Sequence, residues 1–277
     1  MICRLVLFLA LTAATGLADL DYSFETRAQP RPLHIHVLRL DLTRGHHALD
    51  VVFAPDPDGE GPAEAQLEKP AVLAEAPDIV AAINANAFGV VPPPPANQRP
   101  PWRVGLPVDI ISWAKNDRDE RSRPQPAYWC FWLDPAGRAH VGNLTEPVPA
   151  RLAVAGFGPL IVDGKIVDRS AEPLHPRTAI GTDLTGQTIY MVVVDGRQPG
   201  TSEGMSTGEL AELMAELGCH AAINLDGGGS SILFHADEAG RLRVANRPSD
   251  PGTRPIPLLL VVRKLAPPPP ATTIPAP

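Results

Sequence analysis

Asn224-Leu225-Asp226-Gly227-Gly228-Gly229-Ser230-Ser231 is the stretch on which the reading of this chain turns. Its first two residues close His220 to Leu225, which reads as a buried strand, and Asp226 with the glycines follows that strand directly. Three consecutive glycines are costly to order, because glycine loses more backbone freedom on folding than any other residue. A plain turn into the strand predicted from Ser231 to Phe234 needs one or two glycines rather than three. The surplus points to backbone that approaches a ligand closely and offers N–H groups to an anion. A tight turn is the plainer alternative.

Another apolar run, Thr188 to Val194, ends in the same manner in Asp195-Gly196-Arg197. Two strands that each finish in Asp-Gly bring two carboxylates, Asp195 and Asp226, toward one edge, and glycoside hydrolysis uses such a pair. Ala81-Ala82-Ile83-Asn84-Ala85-Asn86 also matches Ala221-Ala222-Ile223-Asn224-Leu225-Asp226. If this is not coincidence, two related strands lie side by side and deliver Asn84, Asn86, Asn224 and Asp226 to one end of a sheet, where α/β proteins place their sites. Arg177, in His175-Pro176-Arg177, precedes a short apolar strand and reads either as a solvated side chain or as a bidentate partner for phosphate. Arg247 and Arg254 raise the same question more weakly. His34, His36, His46 and His47 read as strand-face or loop residues. No nucleophile-elbow spacing and no zinc-ligand spacing occurs, so neither metal nor cofactor is expected, although Asp195 and Asp226 could share a cation.

Outward from this run, Leu33 to Leu42 alternates as a half-buried strand, with a phase slip at Val37-Leu38 that suggests a bulge. Ala48 to Phe53 reads as its partner. Pro70 to Ala76 suggests a short helix and Asp78 to Ile83 a buried strand. Residues 91–126 are rich in proline and charge, as binding loops or disordered segments are. Asp163-Gly164 between two apolar triplets predicts a two-residue hairpin. Ser206 to Leu217 is the clearest helix, opened by a Ser206/Glu209 capping box and ended by Gly218. Ile256 to Val262 is the last strand. The near-continuous apolar strands imply a covered central sheet. The expected fold is therefore α/β in the broad sense (α+β), a mixed central β-sheet with flanking helices in one domain over 33–264.

Residues 1–18 read as a secretory signal: Arg4, the apolar stretch Leu5 to Ala14, then Gly16-Leu17-Ala18. The expected location is periplasmic or secreted. The prolines number 33 and cluster partly in the tail 265–277, which reads as disordered. No other run is long enough to span a bilayer. A net charge of -7 argues against nucleic acid as a partner. Cys130 and Cys219 are expected as core cysteines, with a disulfide as the alternative. Nothing in the sequence indicates an oligomeric state.

The stretch from His175 to Ser231 resembles the phosphodiester glycosidase domain family. The matching segments are Pro176 to Gly181, Val193-Val194-Asp195-Gly196-Arg197, Glu203-Gly204-Met205-Ser206 with its helix, and Asn224 to Ser231. Ala87 stands where the family usually has an aromatic residue, and the turn Asp250 to Arg254 is altered, which bears on substrate preference. The resemblance implies cleavage of a sugar-1-phosphodiester, or a phosphoglycan, at the anomeric carbon in cell-envelope or extracellular polysaccharide metabolism. It implies Asp226 as nucleophile or base and Asp195 as the second carboxylate. Arg177 and the N–H groups of Gly227, Gly228 and Gly229 would stabilise the phosphate, Asn84 and Asn224 would hold sugar hydroxyls, and Asn86 and Ser230 join them as substrate-binding residues. The competing readings are a non-catalytic saccharide-binding protein of an exopolysaccharide system and a metal-dependent phosphodiesterase.

Overall fold

The computed structural model describes residues 19–96, 98 and 101–266. The expected signal segment 1–18 and most of the expected disordered tail lie outside the described residues. The central layer is a seven-stranded sheet. Across it run Leu20–Arg27, Leu33–Asp41, Thr188–Val194, Arg177–Thr182, Ala221–Asn224, Gly158–Val162 and Lys165–Ile166. Every neighbouring pair in it is antiparallel.

A five-stranded sheet is formed by Leu242–Val244, Leu233–Ala236, Ile79–Asn84, Leu258–Lys264 and His47–Phe53. Another contains Ala139–Gly142, Trp129–Leu133, Leu152–Gly156, Ala114–Lys115 and Glu120–Ser122. A small sheet joins Ala65–Gln66, Pro107–Ile110 and Phe88–Val90. The one long helix among the described residues is Thr207–Glu216, and the other α-helix is the single turn Pro70–Leu73.

This corrects the expected mixed sheet with flanking helices. The architecture is predominantly antiparallel β, with one helix on one face of the seven-stranded sheet. The apolar runs misled for a physical reason: they record burial of both faces, and sheets can bury a sheet as well as helices do. On one face Leu38, Leu40, Ile180, Met191, Val193 and Ile223 join a large core shared with the other sheets. On the other, Ile35, Val37, Ala179, Val192, Val194 and Ala222 meet Leu210, Leu213 and Met214 of the helix. Each fully buried aliphatic side chain contributes about 1.5–3 kcal/mol relative to exposure.

The same two-sided burial removes the bulge expected at Val37-Leu38. The register against both neighbouring strands is unbroken there, and the two residues point into different cores. His47–Phe53 pairs with Leu258–Lys264 rather than with Leu33–Asp41. Residues 91–126 contain three strands within the segment expected as loop.

Local signals fared better. Val162 pairs with Lys165 across a turn in which Asp163 (φ 49°) and Gly164 (φ 72°) are both left-handed, as a type I′ hairpin requires. Glu209 N–H donates to Ser206 Oγ at 3.2 Å and Ser206 N–H to Glu209 Oε2 at 2.9 Å, which completes the capping box. Cys130 and Cys219 are free and buried in different core clusters. No helix among the described residues is long and apolar enough to cross a membrane.

Candidate functional site

The antiparallel order of the central sheet brings four chain segments to one edge. Thr188–Val194 ends there in Asp195-Gly196-Arg197, and Arg177–Thr182 begins there. Ala221–Asn224 ends there in the glycine run, and Gly158–Val162 begins there after Phe157. The register confirms the alignment, with Arg177 opposite Val194, and Asn224 between Ala179 and Gly158.

At this edge Gly227 to Ser230 turns sharply, with Gly228–Ser230 forming a 3-10 turn. Gly228 N–H donates to Pro176 O at 2.9 Å, and Gly227 N–H to Asp226 Oδ1 at 3.0 Å. These two N–H groups are therefore engaged within the protein and do not form the anion nest expected of them. The glycines serve close approach instead. Gly228 has a φ of 62°, and a Cβ on Gly229 would collide with Asp250 and Arg254.

Asp226 is partly exposed. Loss of hydration on burial pushes its carboxyl up to about 6, against the opposing pull of Ser230, the Arg254 charge and Gly227 N–H. Arg254 is steered by Asp250 at 2.8 Å, reaches Ser230 Oγ at 3.4 Å, and lies 5.5 Å from the centre of the Trp102 ring. A carboxyl poised near 6 suits general acid–base or nucleophilic work near neutrality.

Asp195 has a different environment. Its side chain is 1% exposed. It accepts from Asn246 Nδ2 at 3.0 Å and from Arg247 N–H at 3.0 and 3.1 Å, and His36 Nε2 lies 3.5 Å away. His36 Nδ1 in turn meets Tyr22 Oη at 2.9 Å. Strand alternation explains the difference. Val194 and Ala179 face the helix side, as does Arg177, whereas Asp195 is one residue on and turns toward the opposite core. The edge thus gathers both aspartates, but Asp195 is shut into the core while Asp226 keeps partial exposure.

Arg177 is buried and donates to Met205 O at 2.8 Å and Pro173 O at 2.6 Å. Burial lowers its pKa, Arg197 lowers it further, and Asp168 opposes. His175 is lowered by burial and by the charges of Arg197 and Arg177. The exposed Arg197 lies over the glycine turn, where a Cβ on Gly228 would come 3.0 Å from its Nη2. Two guanidiniums and an imidazole crowd one another here, and such like-charge crowding is relieved by an anion.

The asparagines divide. Asn84 Nδ2 donates to Asp226 O at 2.7 Å, while its Oδ1 accepts from Thr178 Oγ1 at 2.8 Å and Ile232 N–H at 3.1 Å. Asn86 donates to Ile111 O and Trp113 O, both at 3.0 Å, and accepts from Ala155 N–H at 3.0 Å. Both amides are thus committed to backbone and hydroxyl partners inside the protein rather than presented to a sugar. Their strand lies in the five-stranded sheet, so the two similar segments are not side by side. Their ends meet through Asn84 and through Asp226 N–H to Ala85 O at 2.9 Å. Asn224 is the exception: it is buried, and its Oδ1 has no hydrogen-bond partner.

Arg197, Arg254, His175 and Asn246 carry more of this edge than their local sequence signals. Arg254 and Asn246 come from a segment about 20 residues beyond the glycine run and reach it only by folding back. Cavities of about 670, 570 and 270 Å³ lie elsewhere, lined for example by Asp50 and Arg263, by Glu64 and Asp109, and by Asp183 and His220. Their linings do not include Asp226, so size alone does not locate the site. Among the described residues, no group of three or more His, Cys, Asp or Glu side chains is placed to hold a metal ion.

The fold is similar to that of zebrafish N-acetylglucosamine-1-phosphodiester alpha-N-acetylglucosaminidase, whose catalytic domain is described as auto-inhibited by its pro-peptide. The TM-score is 0.66 at 18% identity, over 91% of this chain and 86% of that one. A hypothetical protein from Synechocystis is similar at a TM-score of 0.60 and 15% identity, over 89% of this chain and 62% of that one. No curated protein sequence matches this chain significantly. Residues 78–263, about two thirds of the chain, match the family model for phosphodiester glycosidases, and the chain belongs to that family.

Proposed function

We propose that this protein hydrolyses a sugar-1-phosphodiester by breaking the bond between the anomeric carbon and the phosphate oxygen. The observation that carries the reading is the crowding of Arg177, Arg197 and His175 at the glycine turn that follows Asp226 in the chain, together with an Asp226 carboxyl pushed up to about 6. Arg197 holds the phosphate and Arg177 adds positive charge behind it. Asp226 acts on C1, either by attacking it or by activating the water that does. As C1–O breaks, the bonding electrons leave with a phosphomonoester, and a water oxygen ends on C1. That leaving group has a second pKa of about 6, so charge stabilisation serves it better than a proton donor. A single carboxylate suits such a bond.

In this reading Asp195 is a positioning residue. It anchors Asn246 and Arg247, and through that segment the loop that carries Arg254. Asn224 Oδ1 is buried without a partner at this edge, so a sugar hydroxyl would reach it only after the site opens.

Turnover of sugar-1-phosphodiesters in oxygen-18 water tests the proposal. Label in the sugar supports C–O cleavage. Label in the phosphate indicates a phosphodiesterase, and binding without turnover indicates a saccharide-binding protein. Export is proposed as well, from the sequence pattern of residues 1–18, with a role in envelope or extracellular polysaccharide turnover. Mass spectrometry of the native protein should find a mature terminus near Asp19, and intact Met1 on soluble cytoplasmic protein would refute export.

A further inference from the structure

The site edge has a polarity along the order of its strands. Arg197 and Arg177 stand at the ends of two adjacent strands, Asn224 and Asp226 follow the next, and Phe157 precedes the one after. From the first of these strands to the last is three strand spacings, about 14 Å. A phosphate held at the arginines, with Asp226 acting on C1, sends the sugar ring away from them, over Asn224 and toward Phe157.

Phe157 is 48% exposed and leaves its ring open to solvent at this edge. Its backbone N–H donates to Asn224 O at 2.8 Å, which fixes it to the strand that delivers Asp226. Tyr128 lies beside it, ring centroids 6.3 Å apart and planes inclined by 50°. Asn143 holds the Tyr128 segment through Nδ2, which donates to Pro126 O at 2.9 Å and Tyr128 O at 2.8 Å. The result is a supported aromatic corner, one ring open to solvent and the other partly buried behind it.

We infer that Phe157, with Tyr128 as its side wall, is the platform on which the substrate's pyranose ring stacks, so that this corner decides which sugars are accepted. The inference rests on the proposed cleavage of a sugar phosphodiester. Its chemistry is the contact of the C–H face of a sugar with an aromatic face, a weak but orienting interaction that leaves the hydroxyls free for polar partners.

The test compares wild type, Phe157→Ala and Phe157→Tyr on the methyl phosphodiester of N-acetylglucosamine-1-phosphate and on the glucose equivalent, with inorganic phosphate as inhibitor. Phe157→Ala should raise KM about tenfold, with kcat within about threefold and the phosphate inhibition constant unchanged. Phe157→Tyr should restore most of the loss. An unchanged KM, or a phosphate constant that rises in step, would overturn the platform. If wild type turns over neither diester, the proposed chemistry is in question by itself. Calorimetric titration with methyl N-acetylglucosaminide then decides the platform: binding present in wild type and lost in Phe157→Ala supports it. Equal binding in both, or binding in neither, overturns it.

Discussion

Asn84 Nδ2 lies 2.7 Å from the backbone carbonyl of Asp226, and this bond ties the end of a strand in one sheet to a residue two beyond the end of a strand in another. The side chain that accepts from Thr178 and Ile232 is the same one, so three groups depend on it. Asn84→Ala would leave Ile232 N–H and Asp226 O without their partners. It should destabilise the fold by roughly 2–4 kcal/mol and lower kcat by misplacing Asp226. Urea unfolding measures the first and steady-state kinetics the second. A KM increase at unchanged stability would instead place Asn84 in contact with substrate.

Asp226 should be indispensable and, for the fold, unfavourable. Asp226→Asn should abolish turnover, by more than about 10³-fold. Its folded pKa of about 6 exceeds the unfolded value near 3.9, so the folded protein resists ionising it. The group's contribution to stability is therefore fully present below the unfolded pKa and is lost as pH rises through about 6. Asp226→Asn should accordingly be more stable than wild type at pH 8, with the gain fading toward pH 4. Thermal unfolding across that range checks the sign, and a gain that grew toward acid would contradict it.

Arg254 lowers the Asp226 pKa through its charge. Removing it in Arg254→Ala should raise that pKa, and the acidic limb of the kcat/KM profile should move toward alkaline pH. An unmoved limb would show that Asp226 is not the group being titrated.

The two arginines should separate cleanly. Arg197 is exposed, so Arg197→Ala should fold within about 0.5 kcal/mol of wild type yet bind inorganic phosphate at least about tenfold more weakly. Arg177 also donates to Met205 O and Pro173 O, so Arg177→Ala should lose stability as well as phosphate affinity. Equal phosphate inhibition of wild type and Arg197→Ala would remove Arg197 from the anion site.

Asp195 should behave as an anchor. Asp195→Ala would free Asn246 and Arg247 N–H in a buried place and should destabilise strongly, by about 2–4 kcal/mol. Asp195→Asn keeps one acceptor oxygen and should retain measurable kcat. A properly folded Asp195→Asn as dead as Asp226→Asn would restore the two-carboxylate mechanism.

The sequence by itself determined what is settled within about ten residues. The Asp163-Gly164 hairpin, the Ser206/Glu209 cap and the glycine run after Asn224 each carry their geometry in their own chemistry, and the family motifs ride on these pieces. Tertiary structure decided the rest. Apolar strands such as Thr188–Val194 report that both faces are covered, and cannot say whether a helix or another sheet covers them. Two Asp-Gly endings announced two carboxylates at one edge. The strand pleat, through a register of Arg177 opposite Val194, then turned Asp195 into the core, while Asp226 kept partial exposure. Antiparallel pairing alone brings Arg197 and Phe157 to one edge, since pairing between distant segments is set by how whole faces fit together and leaves no local trace in the chain.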